Sequence, residues 1–182
     1  HAKQQCRQVG WQAADIDRVQ FVDDAQDLVS RDDVDVVVEA TGNPIAGIRH
    51  ALLCIDSGKH VVMVNVEADA LVGPCLARLA KQAGVVYSMA YGDQPALTME
   101  MIDWARSCGF KVIAAGKGTR YLPVYHDSTP DTVWDHYGLT PEQARKAGMR
   151  SQMFNSFLDG TKSAIEMTAI ANAANLQAPT GG

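Results

Sequence analysis

The strongest constraint on the fold is a strand–helix–strand pattern repeated through the first half of the chain. Valine-containing runs occupy residues 34–38, 61–64 and 85–89, at intervals of about 25 residues. Such runs are short and apolar enough to form strands that are buried on both faces of a sheet. Strands that alternate with helices pair in parallel through right-handed crossovers. The pattern therefore predicts an α/β fold with part of a doubly wound, Rossmann-type parallel sheet.

Start and stop signals mark the helices between these strands. Residues 43–58 begin with Asn-Pro, continue with helical apolar spacing and end in glycine. In the next interval we expect Pro74 to open a helix that Gly84 ends. Upstream, residues 19–22 predict a further strand, and Asp23 is expected to cap a short helix after it.

The regular alternation of predicted strands and helices ends at residue 93. This change predicts one domain over 1–93 and a second, α+β domain over 94–182. A long amphipathic helix is expected after the boundary, and we predict a strand over 110–115. The apolar stripe of that helix comprises Leu97, Met101, Trp104, Ala105 and Cys108. Further helices are expected over 130–137, from the capping box at 140–143, and over 161–175.

Composition excludes several classes of function. The net charge is −5 and lysine and arginine do not cluster, which argues against a nucleic-acid or anionic-membrane binder. No apolar run reaches the roughly 18 residues of a membrane span, and the first residues contain no apolar signal core. The four cysteines are scattered without metal-ligand spacing, which predicts reduced thiols, no structural zinc site and a cytoplasmic protein.

Three polar loops follow predicted strands, at the edge where open parallel sheets bind ligands. The candidate residues are Thr41, Gly42 and Asn43 in the first loop, Asn65 and Glu67 in the second, and Asp93 and Gln94 in the third. The first loop opens a helix whose free N–H groups can face an anion or a nicotinamide ribose. Plain structural roles remain open, because Asn-Pro is a good helix start and the second loop could simply be solvated.

Lys162 and Glu166 lie four residues apart on the last predicted helix, with Asp159 just before it. This spacing places the lysine and Glu166 on one helix face. A desolvated, oriented ammonium group can act as a general acid or polarise a carbonyl. The alternative is a surface ion pair that contributes about 0.5 kcal/mol.

A glycine-rich basic loop, residues 116–120, follows the strand predicted over 110–115. Its Lys117 and Arg120 could receive a phosphate or a carboxylate. The loop lacks P-loop spacing, so binding of a nucleoside triphosphate is not supported. A flexible turn explains the same residues.

Two sets of motifs resemble known families. Residues 34–42 and 57–62 resemble the second half of the homoserine dehydrogenase-type NAD(P)-binding domain. Residues 91–95, 116–119 and 159–162 resemble the deoxyxylulose-phosphate reductoisomerase-like oxidoreductases, which often carry a SAF domain. The resemblance implies an enzyme that uses NADPH or NADH to convert deoxyxylulose phosphate to methylerythritol phosphate in isoprenoid biosynthesis. It also implies an NAD(P)-binding role for 1–93 and a catalytic role for 94–182.

The resemblance suggests roles for the candidate residues. Lys162 would polarise the carbonyl that receives hydride, and Asp159 or Glu166 would tune it or relay the proton. The remaining candidates divide into a coenzyme set (Thr41, Gly42, Asn43, Asn65, Glu67) and a substrate set (Asp93, Gln94, Lys117, Arg120). A divalent ion at Asp159, Glu166 or Glu67 remains open, without a recognisable metal motif. We expect a homo-oligomer that acts on a small phosphorylated molecule.

Two departures from these families bear on the assignment. Asn65 is followed by Val66, where homoserine dehydrogenases place a catalytic lysine. The chain also contains no GxGxxG, the glycine turn that binds the coenzyme pyrophosphate. We therefore expect a fragment of a larger oxidoreductase that by itself binds coenzyme weakly or not at all and could be inactive. A homoserine or semialdehyde dehydrogenase and a non-catalytic Rossmann-type regulatory module are the alternatives.

Overall fold

The computed structural model describes residues 2–180. Three short helices come first: α1 (Ala2–Gln8), α2 (Ala13–Arg18) and α3 (Ala25–Val29). A parallel sheet follows, with strands β1 (Val36–Glu39), β2 (His60–Met63) and β3 (Tyr87–Met89) in the order β1-β2-β3. Helix α4 (Pro44–Asp56) connects β1 to β2, and α5 (Val66–Ala83) connects β2 to β3. The predicted α/β class, with a partial Rossmann-type parallel sheet, is confirmed.

The two crossover helices cover one face of the sheet. Successive right-handed crossovers in one direction place α4 and α5 on the same side, where they also pack on each other. The core there includes Val61, Met63 and Leu76, all at most 2% exposed. On the opposite face Val36 is 51% exposed and Val38 62% exposed. Both valines belong to β1, so the prediction that β1 is buried on both faces is wrong for the described residues.

Helix α5 begins earlier than predicted. Asn65 caps its first turn, so the helix starts at Val66, and Pro74 lies inside it rather than at its start. The end at Gly84 is confirmed, since Gly84 adopts a left-handed conformation with φ 74°. Pro74 has no N–H for the carbonyl of Ala70. The Asn172 side chain supplies a donor instead, at 3.0 Å from that carbonyl oxygen.

The segment before the sheet also differs from the prediction. Residues 19–22 form no strand, because Val19 already ends α2 and no strand is available beside them. The short helix α3 is capped by Asp24 rather than Asp23, with Asp24 Oδ1 accepting a hydrogen bond from the Gln26 N–H at 2.8 Å.

The rest of the described chain is helical. It contains α6 (Gln94–Ser107), a 3₁₀ turn (Pro123–Asp127), α7 (Val133–Tyr137), α8 (Pro141–Lys146), α9 (Ser151–Leu158) and α10 (Thr161–Ala174). The strand predicted over 110–115 is not formed, so the described part of the second domain is helical rather than α+β as predicted. Sequence patterns did not predict α9. Helix α10 packs on both α5 and α6, which joins the C-terminal helices to the sheet region.

Helix α6 buries a different face from the one its apolar stripe suggested. Met101 is 71% exposed, Trp104 66% and Leu97 39%. The helix packs instead through Ile102, which clusters with Ile170 and Ala174 of α10, and it also buries Pro95 in its first turn. The predicted helix is present, but its most apolar stripe is on the surface of the described structure.

Within residues 2–180, none of the helices combines the length and the apolarity that crossing a membrane requires.

Candidate functional site

The loop after β1 is held by a buried carboxylate. Glu39 ends the strand, and its side chain is only 2% exposed. Its Oε1 accepts hydrogen bonds from Thr41 Oγ1 at 2.6 Å and from the Thr41 N–H at 3.3 Å, and it lies 3.2 Å from His50 Nδ1. Burial by itself raises the pKa of the Glu39 carboxyl, but the Thr41 and His50 contacts and the nearby Asn65 amide outweigh it. The pKa is therefore below its ordinary value, and the group is a stable anion.

Asn65 ties the loop after β1 to the loop after β2. Its side chain is buried, with Oδ1 accepting from the Ala68 N–H at 3.2 Å and Nδ2 donating to the Asn43 carbonyl at 2.9 Å. Asn43 Oδ1 in turn accepts from the Ala46 N–H and caps α4. Both side chains are therefore engaged in hydrogen bonds within the chain, Asn65 in the interior and Asn43 at the surface, and the backbone around Gly42 is exposed between them.

Lys162 lies where α10 meets the first turn of α5. Its Nζ is 3.8 Å from Glu67 Oε1 and 3.8 Å from Glu166 Oε1. Glu166 is buried, with a side chain only 2% exposed, and its other oxygen pairs with the Lys117 ammonium. The two lysines are each about a quarter exposed, at 25% and 24%. One buried carboxylate thus holds two ammonium groups that solvent still reaches.

Gln94 connects this lysine cluster to the third loop. With its amide nitrogen turned toward them, Gln94 donates to Glu166 Oε1 at 3.1 Å and to Asp93 Oδ1 at 3.0 Å. Asp93 also caps α6 by accepting from the Gln94 N–H at 2.9 Å. The structure therefore brings predicted residues from the third loop, the basic loop and the last helix into one cluster.

Three predicted residues take places that the sequence did not specify. Glu67, predicted beside the coenzyme, lies in the first turn of α5 and faces Lys162. Asp159 accepts from the Asn155 amide and from the Thr161 N–H, and forms no ion pair with Lys162 within 4.0 Å. Arg120 is exposed, in the same loop as Lys117.

Two buried polar pairs escaped the sequence analysis. One is the His50–Glu39 contact, although a glutamate that ends a valine strand is itself a signal of a buried polar role. The other is Asp69, which is 4% exposed and accepts a hydrogen bond from Tyr87 Oη at 2.8 Å. Burial raises the pKa of Asp69, and burial together with the Asp69 charge raises the pKa of Tyr87.

A surface groove of about 590 Å³ lies between α5, β3, α6 and α10. Asp69, Tyr87 and Asp103 are among its lining residues, but no member of the lysine cluster is. Over residues 2–180, no three His, Cys, Asp or Glu side chains are grouped closely enough to hold a metal ion.

Comparison with protein families divides the chain at about the same place as the change in sequence pattern. Residues 92–182 match the model of the oxidoreductase DRL catalytic domain, and residues 2–89 match the model of the homoserine dehydrogenase NAD-binding domain. A search of curated proteins finds no match. The sheet region therefore corresponds to a nicotinamide-binding domain, and the helical region to the catalytic domain of an oxidoreductase.

Proposed function

The chain belongs to the oxidoreductase DRL family, whose catalytic-domain model matches half of it, and we propose that it reduces a small phosphorylated carbonyl compound at the lysine cluster. The observation that carries this proposal is the position of Lys162. Its ammonium group is half-buried, paired with two carboxylates, and adjacent to the helix turn that follows β2. A carbonyl beside it would therefore lie close to the edge where a nicotinamide-binding sheet presents its coenzyme.

The residues at this edge fit the nicotinamide end of NADPH or NADH. Gly42 adopts φ 68°, and no atom lies within 4 Å of the position of a Cβ built on it. The backbone there is thus open to a planar ring, and the N-terminus of α4 begins two residues later. Thr41, Gly42 and Asn43 would hold the coenzyme, with Asn65 fixing their loop. The coenzyme supplies the hydride.

Lys162 is the proposed general acid. Its ammonium group would donate a hydrogen bond to the carbonyl oxygen and deliver a proton to it as the carbonyl carbon is reduced. Glu166 and Glu67 orient the ammonium group through the two 3.8 Å contacts. Lys117 balances the charge of Glu166, and this prevents the buried carboxylate from repelling an anionic substrate.

Recognition of the phosphate is assigned to the basic loop. Arg120 is exposed, and its guanidinium group suits bidentate contact with a phosphate. Lys117 adds positive charge from the same loop, while Asp93 and Gln94 line the opposite side of the cluster. Asp159 is a positioning residue in this scheme, because its carboxylate fixes the turn that precedes α10.

The substrate that we propose is deoxyxylulose phosphate, whose carbon skeleton would first rearrange, one C–C bond breaking and another forming, to a branched aldehyde phosphate. Reduction of that aldehyde would then give methylerythritol phosphate. The test is to follow oxidation of the reduced nicotinamide with deoxyxylulose phosphate and aspartate semialdehyde in parallel. We expect turnover with the phosphorylated ketose. Turnover with the semialdehyde alone would replace the proposal by a homoserine dehydrogenase-like activity, which Val66 after Asn65 disfavours.

The coenzyme is tested separately by titrating NADPH and NADH and following nicotinamide fluorescence. Binding of either supports the proposal. Absence of binding, together with absence of turnover, would instead favour a Rossmann-type module without catalytic activity.

A further inference from the structure

We propose that Glu39 is a positioning residue for coenzyme binding, because its carboxylate holds the Thr41–Asn43 loop in the conformation that exposes the Gly42 backbone. This inference rests on the proposed function for its consequence, coenzyme affinity. Its structural part, the anchoring of the loop, can be tested without any coenzyme.

The position of Glu39 is unusual for a charged residue. It follows three valines in β1, and the paired residue on β2, Met63, is a core residue at 2% exposure. A buried carboxylate costs free energy unless donors satisfy it. Here two donors come from Thr41, which lies in the loop itself, and His50 approaches from α4. The loop therefore satisfies one carboxylate oxygen, Oε1, and is restrained by it, while Oε2 is buried without a hydrogen-bond partner among the described residues.

A second contact secures the same loop from the other side. The Asn65 amide donates to the Asn43 carbonyl, so the loop is fixed both at its first residue and at its last. Gly42 lies between these two anchors with φ 68°, and no atom lies within 4 Å of the position that a Cβ on it would take. Its conformation is consequently set by its neighbours.

The close approach of Glu39 and Asn65 depends on a glycine in α4. A Cβ on Gly47 would lie 2.6 Å from Asn65 Nδ2 and 3.0 Å from Glu39 Oε2. The absence of a side chain there lets both anchors sit against the helix. The positions of Glu39 and Asn65 therefore depend on the packing against Gly47 as well as on their hydrogen bonds to the loop.

The anchoring is tested by amide hydrogen exchange in the full chain, with Thr41→Val and Thr41→Ser as a matched pair. Valine keeps the branched shape and removes the hydroxyl donor, while serine keeps the donor. A hydrogen bond to a charged group contributes enough for a change of about tenfold or more. We therefore expect the backbone N–H of residue 41, which donates to Glu39 Oε1 at 3.3 Å, to exchange at least about tenfold faster in Thr41→Val, and about as in the unmodified chain in Thr41→Ser. Equal exchange in the two variants would overturn the proposal.

The consequence for the coenzyme is tested with Glu39→Gln, which keeps the size and removes the charge. We expect the dissociation constant of the reduced coenzyme, measured by fluorescence, to rise about tenfold, with the KM of the carbonyl substrate unchanged. An unchanged dissociation constant would refute the link between Glu39 and the coenzyme. If the unmodified chain itself binds no coenzyme, the proposed function fails, whereas the exchange result still decides whether Glu39 anchors the loop.

Discussion

Lys162 Nζ lies 3.8 Å from Glu67 Oε1, across the contact between α10 and the first turn of α5. One residue belongs to the region that matches the DRL catalytic domain, and the other to the region that matches the NAD-binding domain. The candidate proton donor is therefore oriented partly by the domain that would present the coenzyme. In the proposed mechanism, the alignment of the coenzyme with the substrate would depend on this contact between the two regions.

Replacing Lys162 by methionine should abolish most of the turnover while leaving the fold intact. Methionine keeps a flexible side chain of similar length but cannot donate a proton or a hydrogen bond. General acid catalysis is typically worth at least a hundredfold, so we expect kcat to fall by about that factor or more. The measurement is steady-state oxidation of the reduced nicotinamide.

Lys146→Met is the matched control, because Lys146 forms an exposed pair with Glu142 at 3.0 Å on a different helix. Its kcat should stay within about twofold of the unmodified protein, since isolated surface pairs contribute little. Equal losses in the two variants would argue against a special role for Lys162.

Glu166→Ala should be strongly destabilising. The change leaves the ammonium groups of Lys117 and Lys162 without the carboxylate that pairs with both of them. Because solvent still reaches both ammonium groups, losing their shared carboxylate should cost about 1.5–3 kcal/mol in the free energy of unfolding, the range for a hydrogen bond to a charged group. Urea denaturation measures this value. Glu142→Ala, which removes an exposed partner, should cost less than about 1 kcal/mol, and similar losses would contradict the burial of Glu166.

Gly47→Ala should destabilise the sheet region although alanine favours helices. The added methyl would lie 3.1 Å from Ala68 Cβ and closer still to the Asn65 amide, so neighbouring groups must move. Overpacking of this kind costs about 1–3 kcal/mol. Gly118→Ala serves as the control, since no atom lies within 4 Å of its Cβ position. It should change the free energy of unfolding by less than about 0.5 kcal/mol.

Asp69 should make stability fall as the pH rises above the ordinary range of a carboxyl group. Burial raises the pKa of Asp69 in the folded protein above its ordinary value, so between the unfolded and folded pKa values the folded state binds more protons than the unfolded state. The stability associated with the protonated group is present below the unfolded pKa and is lost as the pH rises through the folded pKa.

Asp69→Asn tests this dependence. Asparagine keeps an acceptor for the Tyr87 hydroxyl and removes the titration. The variant should be more stable than the unmodified chain at neutral pH, and the difference should shrink toward low pH in urea titrations at a series of pH values. A stability difference that does not change with pH would show that Asp69 is not the titrating group.

Local signals predicted the helices and strands best where the determinants are close in sequence. The Asn43 cap, the Gly84 end and the capping box at Thr140 all act within one helical turn, and each is present as predicted. The prediction that Pro74 opens a helix was wrong because proline is tolerated inside a helix when a distant side chain donates the missing hydrogen bond. That side chain, Asn172, lies about a hundred residues away in sequence.

The sequence predicted which residues contribute to the candidate site, but it did not predict which of them form ion pairs with each other. Lys162 and Glu166 share a helix face, and that relationship follows from spacing alone. The contact of Lys117 with the same glutamate depends on how the loop over 116–120 folds back against α10, which periodicity does not encode. The stripe of α6 shows the same limit, because two faces of that helix are apolar and only tertiary packing selects the buried one.

The hydrogen bond from Asn172 to the Ala70 carbonyl has a consequence for how the chain unfolds. Detaching α10 would hand the Ala70 carbonyl beside Pro74 to water and would expose the surface on which α10 packs. The crossover helix that completes the sheet therefore loses stabilising contacts when the last helix detaches. Heat or denaturant should thus melt the sheet region and the terminal helix in one cooperative transition, despite their separate family matches.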